Sequence, residues 1–123
     1  MVRGIRGATT VEQNEEAEIL HATRELFDSI IEENGVLADD IASVLITVTT
    51  DLTAAFPAKA IRTKPGWEYV PVMCTMEIPV PGGLANCIRL LVHANTEKTQ
   101  REIVHVFQKE AQRLRPDLAH VRK

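Results

Sequence analysis

The run Cys87-Ile88-Arg89-Leu90-Leu91-Val92 constrains this chain more than any other segment: it is the most continuously apolar strand-like stretch, and it carries a permanent charge. A guanidinium inside such a strand has little reason to be there unless something anionic meets it, and a ligand is the simplest candidate. A second strand, Arg3-Gly4-Ile5-Arg6-Gly7-Ala8-Thr9-Thr10, also carries arginines, beside glycines that leave room for close approach of a ligand or another backbone. Two cationic strands imply one anionic substrate.

The length of 123 residues, 45% of them apolar, predicts a single domain spanning 1–123. Fourteen basic against 17 acidic residues give a net charge of −3, and the basic residues are scattered, which argues against nucleic acid as a partner. No apolar stretch approaches the roughly 20 residues needed to cross a bilayer, and the N-terminus enters strand pattern without a signal-peptide core, so a cytoplasmic protein is expected. Cys74 and Cys87 lack zinc or redox spacing and read as free thiols; no metal is expected.

Residues 2–10 read as a strand. Asn14-Glu15-Glu16 offers a cap and an acidic first turn for a long helix, whose positions Ile19, Leu20, Thr23, Leu26, Phe27, Ile30 and Ile31 recur at helical spacing before Gly35 stops it. Val44–Thr50 is a β-branched strand, and residues 51–66, broken by Pro57 and Pro65, read as an irregular functional loop. Tyr69–Met76 and Asn86–Asn95 resume strand character on either side of a Pro/Gly turn, as neighbours in the sheet. Thr99-Gln100-Arg101-Glu102 fits a capping box that opens a second helix, with Ile103, Val106, Phe107, Ala111 and Leu114 inward and Pro116 at its end; residues 117–123 form a loose tail.

This order predicts an α+β (mixed α/β) domain: a mixed sheet of four to five strands with two main helices on one face. The other face then needs cover, and in so small a chain another copy of itself is the expected cover, with ligand sites between subunits.

Five separated motifs carry a resemblance: RGIRGATT at 3–10, DL..AFPAKA.R from Asp51 to Arg62, GWEYVPVMC from Gly66 to Cys74, GG at 82–83 with CIR at 87–89, and LRPDL at 114–118. Together, and in order over nearly the whole chain, they resemble the monofunctional, trimeric chorismate mutases with a pseudo-α/β-barrel fold. The resemblance implies rearrangement of chorismate to prephenate, the committed step toward phenylalanine and tyrosine, in three clefts between subunits of a homotrimer. The reaction is a pericyclic Claisen rearrangement, so it implies no cofactor and no covalent catalysis, only a held conformer and stabilised charge.

By the same resemblance Arg89 donates to the ether oxygen of the substrate, which gains negative charge as its bond breaks, and Arg6 binds a substrate carboxylate beside the small residues Gly4, Gly7 and Ala8. Glu77 and Cys74 meet the ring hydroxyl, and Met73, Thr75 and Met76 complete that wall. Phe56, Ala58, Lys59 and Arg62 line the mouth, and Leu114 and Arg115 close over it. Alternation puts Cys74 and Glu77 on opposite faces of a strand, so both meet one ligand only if the strand bends or ends between them.

Phe107 departs from the family pattern, which commonly has a tyrosine there, and the missing hydrogen bond would weaken binding by roughly 0.5–1.5 kcal/mol. Met73, where a smaller polar residue is expected, is a milder departure. The alternative reading is a non-catalytic trimeric binding module for small aromatic carboxylates. Taken singly, the same residues have blander readings: Arg3 as a salt-bridging surface residue, Cys87 as a buried apolar side chain, Trp67 and Tyr69 as packing or interface aromatics. His21, His93, His105 and His120 carry no assigned role, two of them on helices.

Overall fold

The structure is a computed structural model that describes residues 1–114; Arg115, Pro116, His120 and the 117–123 tail lie outside the described residues. A five-stranded mixed sheet is built from β1 (Val2–Thr10), β2 (Ile41–Val48), β3 (Val72–Met76), β4 (Cys87–Asn95) and β5 (Val106–Phe107) in the order β3-β2-β4-β1-β5. The helices are α1 (Glu16–Asn34) and the short α2 (Ala58–Arg62). β4 runs antiparallel to both neighbours, while β3 and β5 pair in parallel with β2 and β1 at the edges. The expected adjacency of the third and fourth strands is therefore wrong: β2 lies between β3 and β4, which leaves the Pro/Gly turn to span a strand's width.

Alternation along paired strands divides the side chains cleanly. Ile5 on β1, Val44 and Ile46 on β2, and Ile88, Leu90 and Val92 on β4 are buried on one face, where Ile19, Leu26, Phe27 and Ile30 of α1 pack in the same cluster. Each such side chain contributes on the order of 1.5–3 kcal/mol. Trp67 packs edge-on against Phe27 with centroids 5.1 Å apart, while Tyr69 stands exposed. Gly7 belongs to this packing as well. A Cβ there would lie 2.5 Å from Ile30 Cδ1, so the glycine admits the helix rather than a ligand.

The predicted helix 14–35 forms with one change at its start. Its acidic first turn and its left-handed stop at Gly35 (φ 62°) are as expected, but no side chain caps it. Asn14 instead turns its amide to the loop after β2, accepting from the N–H groups of Thr53 and Ala54 at 3.0 and 2.9 Å.

The helix predicted to open at Thr99 does not form over the described residues, 99–114. Thr99 N–H donates to the Glu102 carboxylate at 2.7 Å as the box requires, yet only a 3-10 turn, Gln100–Glu102, follows before Ile103 becomes extended. The backbone groups that a helix would use are taken by distant partners. The Asn34 amide accepts from Val104 N–H at 2.8 Å and donates to its carbonyl at 2.9 Å, and Gln108 N–H donates to Ala8 across the β1–β5 edge at 2.9 Å. Val106 and Phe107 consequently point to opposite faces instead of sharing one, and the second helix is α2, inside the segment expected to be irregular.

Candidate active site

The face of the sheet away from α1 carries Arg6 and Ala8 on β1, Arg89 and Leu91 on β4, Leu45 and Thr47 on β2, and Met73 and Thr75 on β3. Leu45 and Leu91 are only half-buried and Met73 is 69% exposed, so this face has an apolar floor without cover. Arg89 stands at its middle, cross-strand from Ala8 on one side and Thr47 on the other.

Glu77 is the first residue beyond β3. Its N–H donates to Val48 at 2.8 Å, which carries the strand register one residue further and keeps the side chain on the same face as Thr75. Its Oε2 accepts from Thr47 Oγ1 at 2.7 Å and lies 3.1 Å from Arg89 Nε, close enough for an ion pair but without hydrogen-bond alignment. Arg6, Thr47, Glu77 and Arg89 thus converge on one cavity of about 210 Å³ floored by Leu45 and Leu91. The guanidinium carbon of Arg6 sits 5.7 Å above the Phe107 ring, and its backbone N–H donates to His105 Nδ1 at 2.9 Å. Phe107 is buried with Ala8 and Ala111, so it supports Arg6 from beneath.

The other expected residues gather elsewhere. Phe56, Lys59, Arg62, Cys74, Thr75 and Met76 line a second, larger cavity of about 580 Å³ beside α2. Pro57 and Ala58 start α2 and are buried, which leaves Lys59 and Arg62 exposed; Lys59 is 3.8 Å from Glu16 in a loose surface pair. Although β3 does end between Cys74 and Glu77, the end does not unite them: Cys74 stays on the α-helical side and Glu77 on the open side. Leu114 lines a third cavity with Gly82 and Gly83, and Arg115 lies outside the described residues.

Burial pushes the Cys87 thiol above its ordinary 9.0, against the opposing pull of Arg89, so it is a neutral, buried group as expected. Arg3 donates to the Lys98 carbonyl at 3.1 Å, a different bond from the expected surface salt bridge. Of the histidines, His21 is on a helix, His93 meets Ser43 Oγ at 3.1 Å on the sheet, and His105 precedes β5 rather than lying on a helix. Thr47 is the member of the site that sequence reasoning missed; only its cross-strand register with Arg89 reveals it.

Residues 2–118 match the family of type I chorismate mutases. The chain belongs to that family. It is 50% identical over 119 residues to the chorismate mutase AroH of Bacillus subtilis, covering 97% of this chain and 94% of that protein. Identity to the chorismate mutase AroH of Thermus thermophilus is likewise 50% over 119 residues, with 96% and 97% covered. A solved chorismate mutase structure from Clostridium thermocellum superposes with a TM-score of 0.87 at 47% identity, covering 89% of this chain and 97% of that one.

Proposed function

We propose that this chain is an isomerase that converts chorismate to prephenate, the precursor of phenylalanine and tyrosine, at clefts completed between copies of itself in a homotrimer. The observation that carries the reading is the convergence of Arg6, Arg89 and Glu77 on an uncovered apolar sheet face, in a chain of the type I family. The division of the family residues between two cavities supports a shared cleft: Arg6, Glu77 and Arg89 from one copy, with Phe56, Lys59, Arg62, Cys74, Thr75 and Met76 from the next.

Chorismate is a dicarboxylate whose ether oxygen gains electron density as its bond to the ring breaks. Arginine has five N–H donors in a planar fork. Nε of Arg89 faces Glu77, and the terminal amino groups remain as donors for the ether oxygen and a carboxylate. Because that charge grows toward the transition state, the interaction accelerates the chemical step and not only binding. Arg6 holds the second carboxylate, Glu77 takes the ring hydroxyl, and the apolar floor excludes water and keeps the reacting ends together. Lys59 and Arg62 draw the dianion in. No cofactor enters the step.

Among the described residues no helix is long and apolar enough to cross a membrane, and the two free thiols suit a reducing cytoplasm. The competing reading, a binding module without turnover, draws only on Phe107, whose ring lacks a hydroxyl for the substrate. An ultraviolet assay separates the two: steady loss of chorismate absorbance supports the enzyme, and prephenate binding without turnover overturns it.

A further inference from the structure

We propose that Thr47 is a positioning residue of this site, acting through Glu77; the inference rests on the chorismate mutase reading and deepens it. Glu77 stands one residue past the end of β3, with three side-chain torsions and a single backbone anchor, its N–H to Val48. Such a side chain has much rotamer freedom and would otherwise turn to water. Thr47 removes that freedom. It lies within β2, paired to Arg89 on one side and Thr75 on the other, and as a β-branched residue in a strand it has few χ1 choices, so its hydroxyl direction is set by the backbone.

The hydroxyl donates at 2.7 Å to Oε2, the same carboxylate oxygen that lies 3.1 Å from Arg89 Nε. One rigid donor therefore fixes a flexible carboxylate at two levels. Oε2 is held against Arg89, which orients the guanidinium, and Oε1, which accepts no hydrogen bond among the described residues, leaves Glu77, a residue of the cavity wall, an acceptor for a hydroxyl of the ligand. A donor on Oε2 also draws off part of its charge, so Glu77 braces Arg89 without the bidentate pairing that would occupy its terminal amino groups. Valine has the same shape and suits this strand equally well; what threonine adds is the hydroxyl.

Thr47→Val removes only that donor. In the intact enzyme it is expected to lower kcat about tenfold, as for one hydrogen bond to a charged group, with KM moving less. Thr47→Ser, which keeps the hydroxyl, recovers most of the loss, and in a Glu77→Ala background Thr47→Val has no further effect. The proposal is overturned if Thr47→Val keeps its parent's kcat, if serine fails to restore it, or if the loss is the same with and without Glu77, which would mark a general packing role. A parent chain that does not turn over chorismate at all sinks the underlying reading instead, so the two failures are told apart by the unsubstituted protein.

Discussion

Arg89 Nε lies 3.1 Å from Glu77 Oε2, so the one cation within the most apolar strand has an acidic neighbour before any ligand arrives. The two side chains are still about a third and a quarter exposed, at 33% and 23%, which makes this a brace at a cavity wall rather than a sealed ion pair. An exposed pair of this kind contributes about 0–1 kcal/mol to stability. Its consequence is directional: in the proposed site, Glu77 fixes which edge of the guanidinium would face the ligand.

If the cleft is shared between copies, defects on its two halves should complement. Arg89→Ala and Arg62→Ala chains would each be impaired alone. Refolded together they form mixed trimers in which some clefts draw Arg89 from one chain and Arg62 from the other, and random assembly should restore roughly a quarter of the clefts. Activity that rises on mixing supports the shared cleft; a mixture no better than its parts contradicts it.

Gly7 should tolerate no larger residue. Gly7→Ala sets a methyl 2.5 Å from Ile30 Cδ1 and 3.2 Å from Leu26 Cδ1, so these side chains must repack or α1 must move off β1. The expected loss is about 1–3 kcal/mol, read as a lower denaturant midpoint. An unchanged midpoint would show that Ile30 yields at no cost.

Asn34 is the device that replaces the expected second helix. Asn34→Ala leaves the N–H and C=O of Val104 without their partners at 2.8 and 2.9 Å, which should cost about 1–3 kcal/mol and speed amide exchange in residues 104–107 first. Exchange that stays slow there while other segments open would contradict this assignment.

Stability should also fall at alkaline pH through Cys87. Burial raises its folded pKa above 9.0, so the folded chain holds the thiol proton more tightly than the unfolded one. The corresponding stability is fully present below the unfolded value and is lost as pH rises through the folded one. Cys87→Ala should therefore flatten the alkaline limb of a stability-pH curve; an equally steep decline without the thiol would assign the loss to other groups.

β1, α1, β2 and β4 could be read because their signals are local: period-two or helical spacing, β-branched runs and a glycine stop at residue 35. The C-terminal segment misled because Ile103, Val106, Phe107, Ala111 and Leu114 fit helical spacing behind a real capping box, while the outcome was decided by pairings 70 and 99 residues away, from Asn34 and Arg6. The site divides in the same way. Arg89 announced itself by chemistry out of place, and the roles of Arg6, Glu77 and Cys74 came from family motifs. The Thr47–Glu77–Arg89 arrangement depends on strand register, which no single segment encodes.

The most direct measurement is the turnover of a protein in which Arg89 is replaced by its neutral isostere citrulline, followed by loss of chorismate absorbance. Loss of the charge should lower kcat by about 10²–10³ or more while the assembly, measured by sedimentation, stays intact. A near-normal kcat in an intact assembly would mean that a positive charge at this position does not carry the rearrangement.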